Sequence, residues 1–437
     1  MISERLAKFV EDLNYREIPE EVIEYAKLLF LDFIGLPFKG YELDSAKVIL
    51  KTFENAHGNS IALPTGNRYL PQISALINSF LAHSLDFDDT HRKSSMHPSV
   101  CVFPPILTVD TDGRTFLEGV VAGYEVACRL GMAINPKVHY DHGFHITATC
   151  GIFGGISALS KILDFDCDKI INAYGTALSM VSGTMQFLEN GSWNKRLNTG
   201  IACHNAVISV NLAKNGFLGA GKPIEGKYGF LNSYTHNAIF EKAVENLGKK
   251  FEITNTGIKL YPCCRYIHPV LDLIVENNIK NFNKMTIKMV SAGYKIVGDP
   301  IDEKRNPKNM VSAQFSLPFA VAVLSYKGKL TVDDFMNVYL NNEIVNIMNK
   351  IDVYPDEKLD NDYPEKWKVV VNVDDKIYSR DYPKGEPEDP ARFKDVFEKF
   401  SDLTDKYLSE DQRKDVLKFI KNIENRYIFE LFEIMGV

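Results

Sequence analysis

The chain has 437 residues, 45% apolar and 24% charged, with a formal net charge of −7. That balance is ordinary for a soluble globular protein of two or three domains with a sizeable core. Lys and Arg are scattered rather than gathered into a stripe, which argues against a nucleic-acid partner, and the longest apolar run, residues 317–324, is too short to cross a bilayer. The opening "MISERLAKFVEDL" lacks the apolar stretch of a signal peptide, so a cytoplasmic location is expected and no membrane partner. Seven Cys, with no CxxC pair and only Cys263 and Cys264 adjacent, fit reduced thiols in the same setting.

From the N-terminus to about residue 255, apolar residues recur at helical spacing, as in "EVIEYAKLLFLDFIGLPF" and "PQISALINSFLAHSLDF". In "TATCGIFGGISALSKIL", Gly151 and Gly155 sit four apart, a spacing that lets another segment approach a buried helix closely. The pattern changes near Lys259. "KLYPCCRYIHP" precedes a short helix, "KMTIKMVSAGYKIV" (284–297) alternates like a strand, and "WKVVVNVDDKIYSRDY" reads as a hairpin about Asp374–Lys376. Between them "AQFSLPFAVAVLSYKG" and "TVDDFMNVYL" look helical, and after the loop "YPKGEPEDP" helix returns to the end of the chain. The expected fold is mainly α with an inserted α+β domain. A large helical domain takes residues 1–255 and 390–437, and a smaller α/β domain takes 256–389. A cleft between two such domains is a common place for a small-molecule site.

The stretch "HSLDFDDTHRKSSMHP" (83–98) holds three of the ten His, and "HYDHGFH" (139–145) holds three more. If the first helix runs through residue 87, His83, Asp86 and Thr90 share a face. Acidic side chains near a helix C-terminus oppose the macrodipole unless donors answer them, which marks a site. Asp86 and His97, among apolar neighbours, read as functional; Asp88 and Asp89 read as solvated or as caps of the next turn. A metal site of Asp and His is the rival from another class, as in a metal-dependent hydrolase. Against it, there is no HExxH, and Arg92 stands where the DDxxD motif needs its last Asp. "GFLGAGKP" nearly spells a phosphate-binding loop, but Pro223 replaces the hydroxyl and no buried strand precedes it.

Further polar groups in apolar surroundings are His145, Lys195, His204, Lys259, Arg265 and His268. His204 and His268 read as satisfied core groups. Together Asp86, His97 and His145 offer acids and bases, and Lys195, Lys259 and Arg265 offer cations, an inventory for carboxylate chemistry with no metal and no cofactor.

In register along nearly the whole chain, "AHSLDFDDTH", "HPS", "GFHITATCGIFGG", "NKRLNTGIACHNAV", "KLYPCCRYIHP" and "SAQFSLPFAVA" resemble the MmgE/PrpD family. The resemblance implies a large helical domain from both chain ends, an inserted α/β lid domain, a homodimer, and a site between the domains. By motif it assigns catalytic places to Asp86, His97, His145, Lys195 and Lys259. Thr90 also faces the site by motif, and Arg265 is a candidate substrate-binding group. Lys93 in the loop "HRKSSM" is a candidate further contact, against the plainer reading of a solvated lysine. The expected activity is a cofactor-independent lyase acting on a small polycarboxylate. Dehydration of 2-methylcitrate or a related hydroxy tricarboxylate comes first. Decarboxylation of cis-aconitate to itaconate is the second reading, and epimerisation of a dicarboxylate such as iminodisuccinate the third. His97 is expected to move the proton with Asp86 as its partner carboxylate, while the cations answer charge on the substrate.

Overall fold

The computed structural model describes every residue except Pro364. Its contacts divide the chain into two compact units, Met1–Gly257 with Arg392–Val437, and Ile258–Ala391.

The first unit is helical. Helix α1 (Glu20–Gly40) is buried along most of its length. A short antiparallel hairpin follows, β1 (His57–Ala62) with β2 (Asn67–Tyr69). The helical reading of this region passed over it, although "PTGN" between two short runs carries a turn signal. Then come α2 (Pro71–Ala82), the two-residue strand β3 (Thr90–His91), α3 (Ser99–Ile106), α4 (Gly113–Ala133), α5 (Ile146–Ile162) and α6 (Asn194–Lys214). Strand β4 (Thr256–Gly257) pairs with β3, so the end of this stretch ties down the loop after α2.

Helices α4 and α5 meet backbone to backbone. A Cβ on Gly123 would lie 3.0 Å from the Gly154 carbonyl oxygen, and one on Gly154 would lie 2.9 Å from that of Gly123. Gly151 faces the Cys101 side chain of α3 and Gly155 the Cys101 carbonyl, so α5 is enclosed and its N-terminus is fixed in the interior. Phe30 and Phe33 of α1 stack on Phe103 of α3, with ring centroids 5.2 and 5.0 Å apart. Each such buried ring contributes roughly 1.5–3 kcal/mol.

The second unit holds α7 (His268–Glu276), β5 (Met285–Met289), α8 (Ser291–Val297), α9 (Leu317–Lys327), α10 (Asn342–Asn349), β6 (Ile351–Pro355), β7 (Val369–Val373) and β8 (Lys376–Arg380). The sheet order is β6-β5-β7-β8, with β5 parallel to β6 and the other pairs antiparallel. Met285, Ile287 and Met289 alternate inward and join Val369, Val371 and Val373 in one apolar core with α7 and α9. The run 284–297, expected to be a strand, divides here: the alternation lasts to Met289, and "SAGYKIV" turns helical once Val290 ends the pairing. The chain then returns to the first unit as α11 (Phe393–Thr404) and α12 (Glu410–Lys421). No helix among the described residues is long and apolar enough to cross a membrane.

Candidate active site

The loop after α2 is built residue by residue. Helix α2 ends at Ala82, a single 3-10 turn covers His83–Leu85, and Asp86 takes the left-handed conformation, φ 52°. His83, Asp86 and Thr90 therefore do not share a helix face, as a helix through residue 87 would require. A non-glycine residue in that region costs on the order of 1 kcal/mol or more. Four clamps offset it. Lys195, at the start of α6, donates to Asp86 at 2.6 Å. Lys399 of α11 donates to the Phe87 carbonyl at 2.6 Å, lies over the Phe87 ring and pairs with buried Asp32 at 2.6 Å. His83 binds Asp88, and the Ser99 backbone N–H and the Tyr124 hydroxyl both donate to Asp89, at 3.1 and 2.8 Å.

Asp88 and Asp89 are both fully buried, which overturns their reading as solvated groups. Burial pushes the Asp89 carboxyl up to about 7 despite its donors. Asp88 behaves oppositely: burial alone would raise it, but the imidazoles of His83 and His97 hold it well below the usual carboxylate range. Its Oδ2 lies 2.7 Å from His83 Nδ1 and 3.1 Å from His97 Nδ1. The carboxylate beside His97 is thus Asp88, while Asp86 pairs with Lys195.

Burial, with Lys195 and His97 nearby, outweighs Asp88 and lowers His83 to about 4, so that imidazole is neutral. His145 caps the N-terminus of α5 and stacks on His83 at 5.8 Å. Burial first, then His83 and Lys195, hold it well below its ordinary value. Its Nδ1 meets the Asn198 amide at 3.5 Å, and Phe187 packs edge-on at 5.5 Å. Lys195 would be lowered by burial, but Asp86 and Asp88 raise it, and it stays charged with 29% of its side chain exposed.

The first unit therefore gathers Asp86, His97, His145 and Lys195 of the expected residues. It adds His83, which the sequence offered only through a helix face shared with Asp86 and Thr90, and Asp88 and Asn198, signalled only by the density of polar groups in their motifs. Thr90 lies half-buried in β3, and Lys93 is exposed in a 3-10 turn, Arg92–Ser94. Lys259 and Arg265 belong to the second unit, where both are buried and Arg265 pairs with Glu386. His268, also there, contacts the Cys263 carbonyl at 3.2 Å, and His204 of α6 bonds Asn205 at 2.9 Å.

His83, Asp88 and His97 also present ligand atoms within 4.8 Å of one another, a spacing within reach of one metal ion. Ligands at about 2.0–2.2 Å from a tetrahedral ion stand ~3.4 Å apart. The 2.7 Å contact between His83 and Asp88 is a hydrogen-bond separation instead. Chemically, the cluster offers a partly exposed imidazole held by an ionised carboxylate, with a charged lysine nearby.

Known proteins share these segments. The MmgE/PrpD N-terminal domain matches residues 4–243, and the MmgE/PrpD C-terminal domain matches 261–425. The chain is 26% identical to a cis-aconitate decarboxylase of Aspergillus terreus, across 74% of this chain and 71% of that protein. It is 23% identical to a cis-aconitate decarboxylase-like protein of Aspergillus oryzae, across 79% and 77%. With the human cis-aconitate decarboxylase the identity is 22%, across 97% and 92%. With both family domains matched in order over most of its length, the chain is a lyase of the MmgE/PrpD family.

Proposed function

We propose that this lyase acts on a small polycarboxylate and uses its own side chains, with no metal, to break a bond beside a carboxylate. The observation that carries this reading is the His97 imidazole on ionised Asp88, 15% exposed, in the same cluster as charged Lys195. Either lyase reaction on such a substrate builds a second negative charge next to an existing carboxylate. A preorganised ammonium beside that charge is among the largest catalytic contributions available. Lys195 gives one N–H to Asp86 and has others to offer a substrate carboxylate. His97 moves the proton.

Two lyase reactions use this set. In decarboxylation of an unsaturated tricarboxylate such as cis-aconitate, the bond to one carboxyl carbon breaks and CO2 leaves. The electron pair shifts through the adjacent double bond onto the remaining carboxylate, and protonated His97 delivers a proton to carbon. In dehydration of a hydroxy tricarboxylate such as 2-methylcitrate, neutral His97 first takes a proton next to a carboxylate. The hydroxide then leaves as water, taking that proton from His97. The names of the relatives put decarboxylation first, ahead of the dehydration expected from the motifs. Dehydration stays as the second reading because His97 turns Nδ1 towards Asp88, 3.1 Å away, which leaves the other ring nitrogen for proton abstraction.

The experiment is a proton NMR time course of chelator-treated protein with cis-aconitate, 2-methylcitrate, citrate and a racemisable dicarboxylate. Itaconate from cis-aconitate is the expected product. An alkene from a hydroxy acid establishes the dehydratase instead, and racemisation without net conversion points to an epimerase. Activity lost on chelation and restored by a divalent metal overturns the metal-free reading.

A further inference from the structure

We propose that Asp88, itself held by His83, is the positioning carboxylate of His97, so that proton transfer depends on three residues, His83, Asp88 and His97. This rests on the reading of His97 as the proton-transfer group. The motifs singled out Asp86 for that task, but Asp86 is engaged with Lys195.

Both imidazoles turn Nδ1 towards the same oxygen, Asp88 Oδ2: His83 in a hydrogen bond at 2.7 Å, His97 at 3.1 Å without hydrogen-bond alignment. An ionised carboxylate accepts hydrogen bonds and donates none, so His83 Nδ1 carries the hydrogen, and the same charge 3.1 Å from His97 Nδ1 favours the hydrogen there too. Both Nε2 atoms are then acceptors, a tautomer set by the partner of the other nitrogen. The rings stand edge to face, with centroids 4.9 Å apart, so neither can turn without moving the other.

A histidine that only fills the core is satisfied at both nitrogens. His139 in this chain is such a case: its Nδ1 contacts the Tyr234 carbonyl at 3.0 Å and its Nε2 the Thr149 hydroxyl at 2.8 Å. His83 is different. Its Nε2 is buried without a hydrogen-bond partner, and so are Asp88 Oδ1 and His97 Nδ1. Each such atom costs roughly 1–3 kcal/mol of stability. Three such atoms in one buried cluster set it apart from His139.

The division of labour follows from burial. His83 is enclosed and neutral, so it gives Asp88 a fixed donor without competing for the proton. His83 and Asp88 are positioning residues; only His97 is placed against the substrate.

The test uses the full-length protein labelled with 15N at histidine, with ring nitrogens assigned through His97→Gln and His83→Asn. Wild type is expected to show the Nδ1–H tautomer at both His83 and His97. In Asp88→Asn, which has one acceptor and one donor in place of two acceptors, one ring is expected to switch to Nε2–H. Wild-type His97 in the Nε2–H form, or both rings unchanged in Asp88→Asn, overturns the proposal. Should Asp88→Asn fail to fold, the wild-type spectrum decides. On whichever polycarboxylate wild type converts, Asp88→Asn is expected to lower kcat about 100-fold or more with KM little changed. His83→Leu is expected to lower kcat, and His83→Asn, which keeps a donor for Asp88, to recover most of it. Full kcat in His83→Leu overturns the part given to His83. If no polycarboxylate is converted, the expected tautomers still support the three-residue arrangement, and the proposed function is what fails.

Discussion

Asp86, Phe87, Asp88 and Asp89 each have a different partner, and the partner decides what the residue can do. Removing the His97 imidazole as His97→Ala is expected to cut kcat at least about 100-fold while thermal unfolding stays near wild type. Lys195→Met removes the ammonium that pairs with Asp86. A charged hydrogen bond is worth about 1.5–3 kcal/mol, so kcat/KM should fall roughly tenfold to a hundredfold, read by initial-rate kinetics. Asp89 gives a prediction about pH. Its folded-state value near 7 lies above the ordinary carboxylate value, so the fold favours its protonated form. Stability from this group is fully present below about pH 4 and is lost as pH rises towards 7. Asp89→Asn should therefore flatten that decline, measured as urea unfolding free energy at pH 5 and pH 8. A decline as steep as in wild type would sink the assignment.

At the scale of elements, the site loop depends on α11, which lies more than three hundred residues along the chain. Lys399 holds Asp32 of α1 and the Phe87 carbonyl at once, and all three lie within the first unit. Lys399→Met leaves Asp32 buried without this ammonium and is expected to cost about 3–5 kcal/mol. The double variant Asp32→Asn/Lys399→Met should recover most of that stability in urea unfolding. Its kcat should stay low, because the Phe87 carbonyl still lacks its donor; full recovery of both would show that Lys399 acts on stability alone. The sequence made several elements legible. The apolar period of 21–38, the small-residue run of 147–163 and the alternation around Asp374 all foretold the type of element found. Hidden from it were the end of α2 at Ala82 and the left-handed Asp86. One turn of that kind rotates every later side chain, and Asp88, not Asp86, lies beside His97.

Across the whole molecule, the residue types of the candidate site were readable because its motifs concentrate His, Asp and Lys in an apolar sequence. Their pairing was not, since it depends on contacts such as Lys195 with Asp86, 109 residues apart. Asp88 and Asp89 show the cost: in the sequence they look like surface acids, yet the fold encloses both. Matches to both family domains fix the class of the enzyme, and identities of 22–26% leave its substrate to experiment. The decisive measurement follows chelator-treated wild type and His97→Gln with cis-aconitate in deuterated water by proton NMR. The account predicts itaconate carrying one solvent-derived deuterium with wild type, and at least about 100-fold less with His97→Gln. Equal rates in the two proteins, or turnover that appears only when a divalent metal is restored, would contradict it.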